Sequence, residues 1–153
     1  MSTQLVQRSD DDIGPTSASG SPPMRRVSGA AIAGWILTGL ASALLLLDAV
    51  MKFVQPVEVV ETTILLGYEK HVILPIGVTL LVSTLLYLLP QTAVLGAILL
   101  TGYLGGAVAT HVRVGNPPFT HTLFPVYFGV LIWLGLYLRD PRLRALLPLR
   151  RLR

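Results

Sequence analysis

HVILPIGVTLLVSTLLYLLPQTAVLGAILLTGYLGGAVATHV, residues 71–112, contains no Asp, Glu, Lys or Arg. This run of 42 residues between Lys70 and Arg113 decides the fold. A soluble chain of 153 residues exposes too much of its surface to hide such a stretch. Pro90 divides it, because proline ends a helix and Pro90–Gln91–Thr92 makes a tight turn. Two helices result, at about 71–89 and 92–112, with Pro75 in the first turn of the former, where proline is tolerated. At 1.5 Å per residue they reach roughly 28–32 Å, the thickness of a bilayer's hydrocarbon core.

The same reading extends in both directions. Val27 to Leu47 is uncharged for 21 residues, and a first span of about 27–50 is expected. After the turn signal in RVGNPPF, a fourth span is expected at about 120–138. Between the first two spans, Pro56 can open a helix. Val57, Val60 and Ile64 then recur at helical spacing, opposite Glu58 and Glu61, and Gly67 suits a C-cap. A short interfacial helix is expected there, although VVETTILLGY also fits a strand. The expected fold is all-α: a membrane four-helix bundle with a short interfacial helix between spans 1 and 2.

Composition agrees. Hydrophobic residues make up 52% and charged residues 13%, against about 25% charged in ordinary soluble domains. The mean hydropathy is +0.66. No cysteine is present, which removes disulfides, thiol redox chemistry, iron–sulfur clusters and zinc-thiolate sites. Residues 1–26 are rich in Ser, Asp, Gly and Pro and read as a disordered tail, with Asp10, Asp11 and Asp12 as a solvated triplet. That long polar lead, and the absence of a small-x-small site closing the first span, argue against a cleaved signal peptide. Residues 140–153 read as a basic tail, and most of the net charge of +4 lies there. Basic residues beside spans need no nucleic-acid partner to explain them.

Charge also sets the expected orientation. Arg25, Arg26, Arg139, Arg142, Arg144, Arg150, Arg151 and Arg153 share one side if four spans cross; Lys52, Lys70 and Arg113 share the other. Eight against three predicts that both termini are cytoplasmic. An odd number of spans would place the two basic ends on opposite faces.

Small residues predict how the spans associate. Gly102 and Gly106, with Gly105 beside them, form a small-residue face on the third span. Gly34–Thr38 and Gly39–Ala43 do so on the first. The first and third spans are expected to pack closely, with a homodimer seam as the other reading. Trp35, Tyr87, Tyr103, Tyr127, Trp133 and Tyr137 include interfacial anchors, though mid-span Tyr103 needs a partner inside the bundle.

The remaining ionisable side chains gather at the outer side. Asp48 and Lys52 are four apart on one face of the first span. His71 begins the second span, His111 and Arg113 end the third, and His121 begins the fourth. The candidate ligand-binding residues are Asp48, Lys52, Tyr103, Thr110, His111, Arg113 and His121. Near an interface the bland roles are a helix-ending ion pair and interfacial hydrogen bonds. The sharper ones are a ligand site at Asp48–Lys52 and, at His111 and His121, a quinone hydrogen-bond site, a haem ligand pair or a metal site, with His71 read as interfacial. No phosphate loop, HExxH, nucleophile elbow or spaced catalytic triad is present, and no catalytic or metal-binding set is assigned.

TLLYLLPQTAVLGAILLTGYLGGAVATHVRVGNP (Thr84–Pro117) and LFPVYFGVLIWLGLYLRDPRLRALLP (Leu123–Pro148) carry a resemblance, with LLLLDAVMKFVQP and VVETTILLGY upstream. Over about residues 30–148 the chain resembles the DoxX-like family of small four-helix membrane proteins, and GYLGGAVATHVR is the most specific piece. The resemblance implies a bundle in a bacterial plasma membrane. Through the family's best-known relatives it also implies an accessory role beside a quinone-linked oxidoreductase. Asp48, Lys52, Tyr103, Thr110, His111 and Arg113 match the family's polar positions. The chain departs from the pattern at Gly77–Val78–Thr79, near where a Glu is common, and at Gln91, where a basic residue is common. The alternative readings are a small-solute transporter, which usually needs an ionisable group at mid-membrane, and a haem protein using His111 with His121 or His71.

Overall fold

The computed structural model of the protein describes residues 28–146. The expected tail 1–26, and Arg150, Arg151 and Arg153, lie outside the described residues. Six α-helices follow one another: α1 (Gly29–Val54), α2 (Val57–Leu65), α3 (Ile73–Leu88), α4 (Ala93–Arg113), α5 (Phe124–Arg139) and α6 (Pro141–Leu146). One 3₁₀ turn (Lys70–Val72) leads into α3, and one π turn (Pro118–Thr122) leads into α5. No strand occurs among the described residues, and VVETTILLGY is helical up to its last turn. Four stretches are long and apolar enough to cross a membrane: Gly29–Val54, Lys70–Leu88, Ala93–Arg113 and Pro118–Arg139.

The four long helices α1, α3, α4 and α5 form a ring. α1 packs against α3 and α5, and α4 closes the ring between them. The first and third spans, α1 and α4, therefore sit diagonally, and the expected close packing between them does not occur. Short connections explain this. The turn at Pro90–Thr92 makes α3 and α4 antiparallel neighbours, and the brief Val114–Leu123 connection does the same for α4 and α5. Both ends of the described chain then lie at one end of the bundle, the terminal end. The α1–α3 and α4–α5 connections lie at the other, the loop end.

Each long helix buries one narrow stripe. Ala41, Leu45 and Ala49 of α1 meet Leu80 and Tyr87 of α3, Ala93, Ala97, Leu100 and Leu104 of α4, and Ile132 and Leu136 of α5. Outward faces carry exposed Ile36, Leu40, Leu47, Val82, Leu95, Ile98 and Val130. Apolar residues all round a helix, of which only one stripe is buried, are what lipid-facing helices need.

Glycines let the backbones approach. A Cβ on Gly34 would stand 2.6 Å from the Arg139 nitrogen on α5, and one on Gly96 would stand 2.2 Å from the Tyr87 nitrogen on α3. Gly77 meets the stem of Lys52, and Gly135 meets Thr38. Gly102, Gly105 and Gly106 behave differently: all three are exposed, and a Cβ on any of them would enter open space. These three α4 glycines, unlike Gly96, therefore do not pack against another described helix. Gly39 likewise faces open space, so of the two first-span pairs only Gly34–Thr38 is a packing surface.

Tyr87 also departs from expectation. It is not an interfacial anchor but fully buried, at 0% exposure. Its hydroxyl donates to the Ile132 carbonyl at 2.9 Å and shares a hydrogen bond with Thr38 Oγ1 at 3.2 Å. Arg139 Nη2 donates to the Tyr87 carbonyl at 2.7 Å, and the guanidinium lies over both the Trp35 and Tyr87 rings. Three helices are thus tied together at the terminal end. The stretch expected as a plain basic tail begins with α6: Asp140 Oδ1 accepts the Arg142 backbone N–H at 2.8 Å, and Leu143 is buried against the bundle.

Candidate functional site

The loop end is built by two helix stops of the same kind. After α2, Gly67 adopts φ +81°. Its N–H bonds the Ile64 carbonyl at 2.8 Å, and the Tyr68 N–H bonds the Thr63 carbonyl at 3.1 Å. After α4, Gly115 adopts φ +72°. Its N–H bonds Val112 at 3.1 Å, and the Asn116 N–H bonds His111 at 3.0 Å. Both are Schellman motifs, in which a left-handed residue lets its own amide and the next one satisfy carbonyls of the helix's last turn. Glycine suits both positions because a side chain disfavours that conformation. Each motif fixes the residue after its glycine, and both of those residues, Tyr68 and Asn116, reach side chains on the last turn of α4.

Tyr68 reaches Thr110: the two hydroxyls are 2.7 Å apart. Thr110 Oγ1 also donates to the Gly106 carbonyl at 2.9 Å, which leaves the Tyr68 hydroxyl as donor to Thr110. Arg113 Nη2 donates to the Leu66 carbonyl at 2.7 Å, and the guanidinium stands over the Tyr68 ring. Gly67, Tyr68, Gly106, Ala109, Thr110 and Arg113 line a hollow of about 440 Å³ on the flank of the bundle. Thr110 lies about 26 Å along α4 and Arg113 about 30 Å, which is the depth of a membrane boundary if α4 begins at the other one.

Asn116 reaches His111: its amide lies 2.8 Å from His111 Nδ1. The His111 and His121 rings have centroids 5.9 Å apart, and Thr120 Oγ1 lies 2.8 Å from His121 Nδ1. Each ring thus has one nitrogen engaged by a neighbouring polar side chain. His121 sits in the π turn before α5 rather than in α5 itself. His71 pairs with Glu69 at 3.1 Å instead of joining the other two.

Asp48 and Lys52 form their ion pair at 2.6 Å, on the last turns of α1. Lys52 is 18% exposed and Asp48 50%. The Lys52 stem packs on Gly77 of α3, at the stretch where the resemblance leads one to look for a Glu. Tyr103, at mid-height of α4, is partly buried against the core.

The seven expected site residues therefore do not form one cluster: Asp48 pairs with Lys52, Thr110 and Arg113 share the hollow, His111 faces His121, and Tyr103 is partly buried at mid-span. Tyr68, Asn116 and Thr120 were not among them. For Tyr68 and Asn116 a sequence signal existed, since each follows a glycine that stops a helix. Among the described residues, no group of three or more His, Asp or Glu side chains could hold a metal ion.

No curated protein and no solved structure matches the chain. The sequence model of the DoxX-like family matches residues 36–135. Those residues run from the first turns of α1 to the last turns of α5 and contain all seven expected site residues, so this multi-pass, four-helix membrane protein belongs to the DoxX-like family.

Proposed function

We propose that the protein is an accessory subunit of a quinone-linked redox system in a bacterial plasma membrane, with both termini cytoplasmic. The hollow formed by Tyr68, Thr110 and Arg113 supports this reading. A quinone head offers carbonyl oxygens as acceptors and carries an apolar tail. It needs donors at the membrane boundary beside an apolar approach. Arg113 keeps N–H groups beyond the one used on Leu66, and a small rotation frees the Tyr68 hydroxyl. Gly106 and Ala109 keep the α4 wall low, so a flat ring can lie against it. Exposed Val112 and Val114 stand at the neighbouring positions for the tail.

In this reading the chain binds and orients the quinone, and a partner oxidoreductase supplies the electrons. The basic residues at the terminal end support a cytoplasmic location for both termini. The test is photolabelling with an azidoquinone in native membranes, followed by peptide mapping. Label is expected on the segments around Leu66–Tyr68 and Gly106–Arg113. Combining Tyr68→Phe with Arg113→Gln should lower it at least about tenfold, since two hydrogen bonds contribute roughly 2 kcal/mol. Label spread evenly over the lipid-facing helices, or unchanged in the double variant, would refute the site. Native mass spectrometry with lipids retained then asks whether an oxidoreductase co-purifies.

A further inference from the structure

A second concavity lies away from the loop-end hollow, between α4 and α5. It measures about 620 Å³ and is walled by Leu104, Val108, Val126, Val130 and Leu134. Gly105 and Gly129 lower its floor, and the Trp133 Nε1–H donates to Thr101 Oγ1 across it at 2.9 Å. The only polar edge of Trp133 is thereby satisfied, and the surface left is hydrocarbon. Along α5 the groove runs from Pro125 to Tyr137, about 18 Å, close to the roughly 15 Å depth of one leaflet's hydrocarbon.

Its terminal end is capped by Leu143 of α6. Helical geometry places Arg142 and Arg144 about 100° to either side of that leucine. Arg144 Nε is shielded from solvent and has no hydrogen-bond partner among the described residues. A buried guanidinium N–H without an acceptor calls for an anionic oxygen. Among the described residues the acidic side chains Asp48, Glu58, Glu61 and Glu69 all lie towards the loop end. Asp140 alone lies at the terminal end, and its Oδ1 is already engaged by the Arg142 backbone. The lining of the groove is almost wholly apolar, and two arginines adjoin Leu143 in the chain at its terminal end.

We propose that this groove binds an anionic phospholipid of the leaflet at the terminal end, with an acyl chain between α4 and α5 and the phosphate at Arg142 and Arg144. The site is separate from the quinone hollow, and neither depends on the other. Basic pockets at the ends of transmembrane helices commonly take such headgroups.

The test uses the full chain in a neutral detergent, titrated with phosphatidylglycerol or phosphatidylcholine of identical acyl chains and read by native mass spectrometry. Phosphatidylglycerol should bind at least about tenfold more tightly. Arg142→Gln with Arg144→Gln should bring the two lipids within about twofold of each other. Gly105→Leu, which enters open space and so leaves the fold intact, should weaken both lipids equally by filling the groove. Circular dichroism checks that each variant retains its helices. Equal binding of the two lipids by the unaltered chain would overturn the proposal. So would a preference that survives the double arginine variant, or displacement of the lipid by inorganic phosphate alone.

Discussion

The two ends of the bundle are held in different ways. At the terminal end, Tyr87 is completely buried and its hydroxyl joins α3 to α1 and α5. Arg139 donates to its carbonyl between two aromatic rings. Gly34, Gly96 and Gly135 bring the backbones close enough for this to happen. At the loop end the polar contacts are partly exposed and mostly local. Asp48–Lys52 lies within one helix, and His111–Asn116 within one helix stop. The exceptions, Tyr68–Thr110 and Arg113–Leu66, tie the α2–α3 connection to α4 and leave a hollow beside them. A bundle needs one end that fixes its helices and can leave the other open for a ligand. Local stability is uneven in proteins generally, and binding sites are drawn from the less rigid parts.

The sharpest way to break this comparison is at Gly96. A valine there would force its Cβ against backbone atoms of α3, which no rotamer change relieves. Gly96→Val should cost about 3 kcal/mol or more and leave little folded protein, as read by unfolding in mixed micelles. Arg139→Met keeps the stem but removes one hydrogen bond and two cation–π contacts. It should cost about 2 kcal/mol in the same assay. Lys52→Met breaks an ion pair whose carboxylate is half exposed, and should change stability by about 0.5 kcal/mol. A loss as large as that of Arg139→Met would mean the loop end is as tightly coupled as the terminal end. The smallest effect is expected at Gly102, where a valine meets nothing within 4 Å. Gly102→Val should stay within about 0.5 kcal/mol of the unaltered chain, whereas Gly96, on the inner stripe of the same helix, cannot tolerate the same change.

The candidate site was legible in its depth and not in its grouping. Sequence spacing placed Asp48, Lys52, Thr110, His111, Arg113 and His121 at one end of the helices, because position along a helix is fixed by 1.5 Å per residue. It did not show that Tyr68 belongs with Thr110 and Arg113, 42 and 45 residues away, since that pairing depends on where the α2–α3 connection lands. Tyr87 read as an anchor because tyrosines often sit at membrane boundaries. Its burial depends on the rotation of α3 about its own axis, which no local pattern specifies when every face of a helix is apolar.

Reading along the chain is enough for the number of spans, their approximate lengths, the tight turn at Pro90–Thr92 and the common end shared by the start of α1 and the end of α5. Each follows from local quantities: the length of uncharged runs, the breaks made by proline and glycine, and the requirement that lipid-embedded backbone bond to itself. The order of the ring, which glycines pack and which face outward, and which polar side chains meet depend on how the helices settle against one another. In water, an amphipathic stripe would have announced the inner face of each helix. In lipid both faces are apolar, so the choice falls to close packing at Gly34, Gly77, Gly96 and Gly135 and to a few hydrogen bonds between helices.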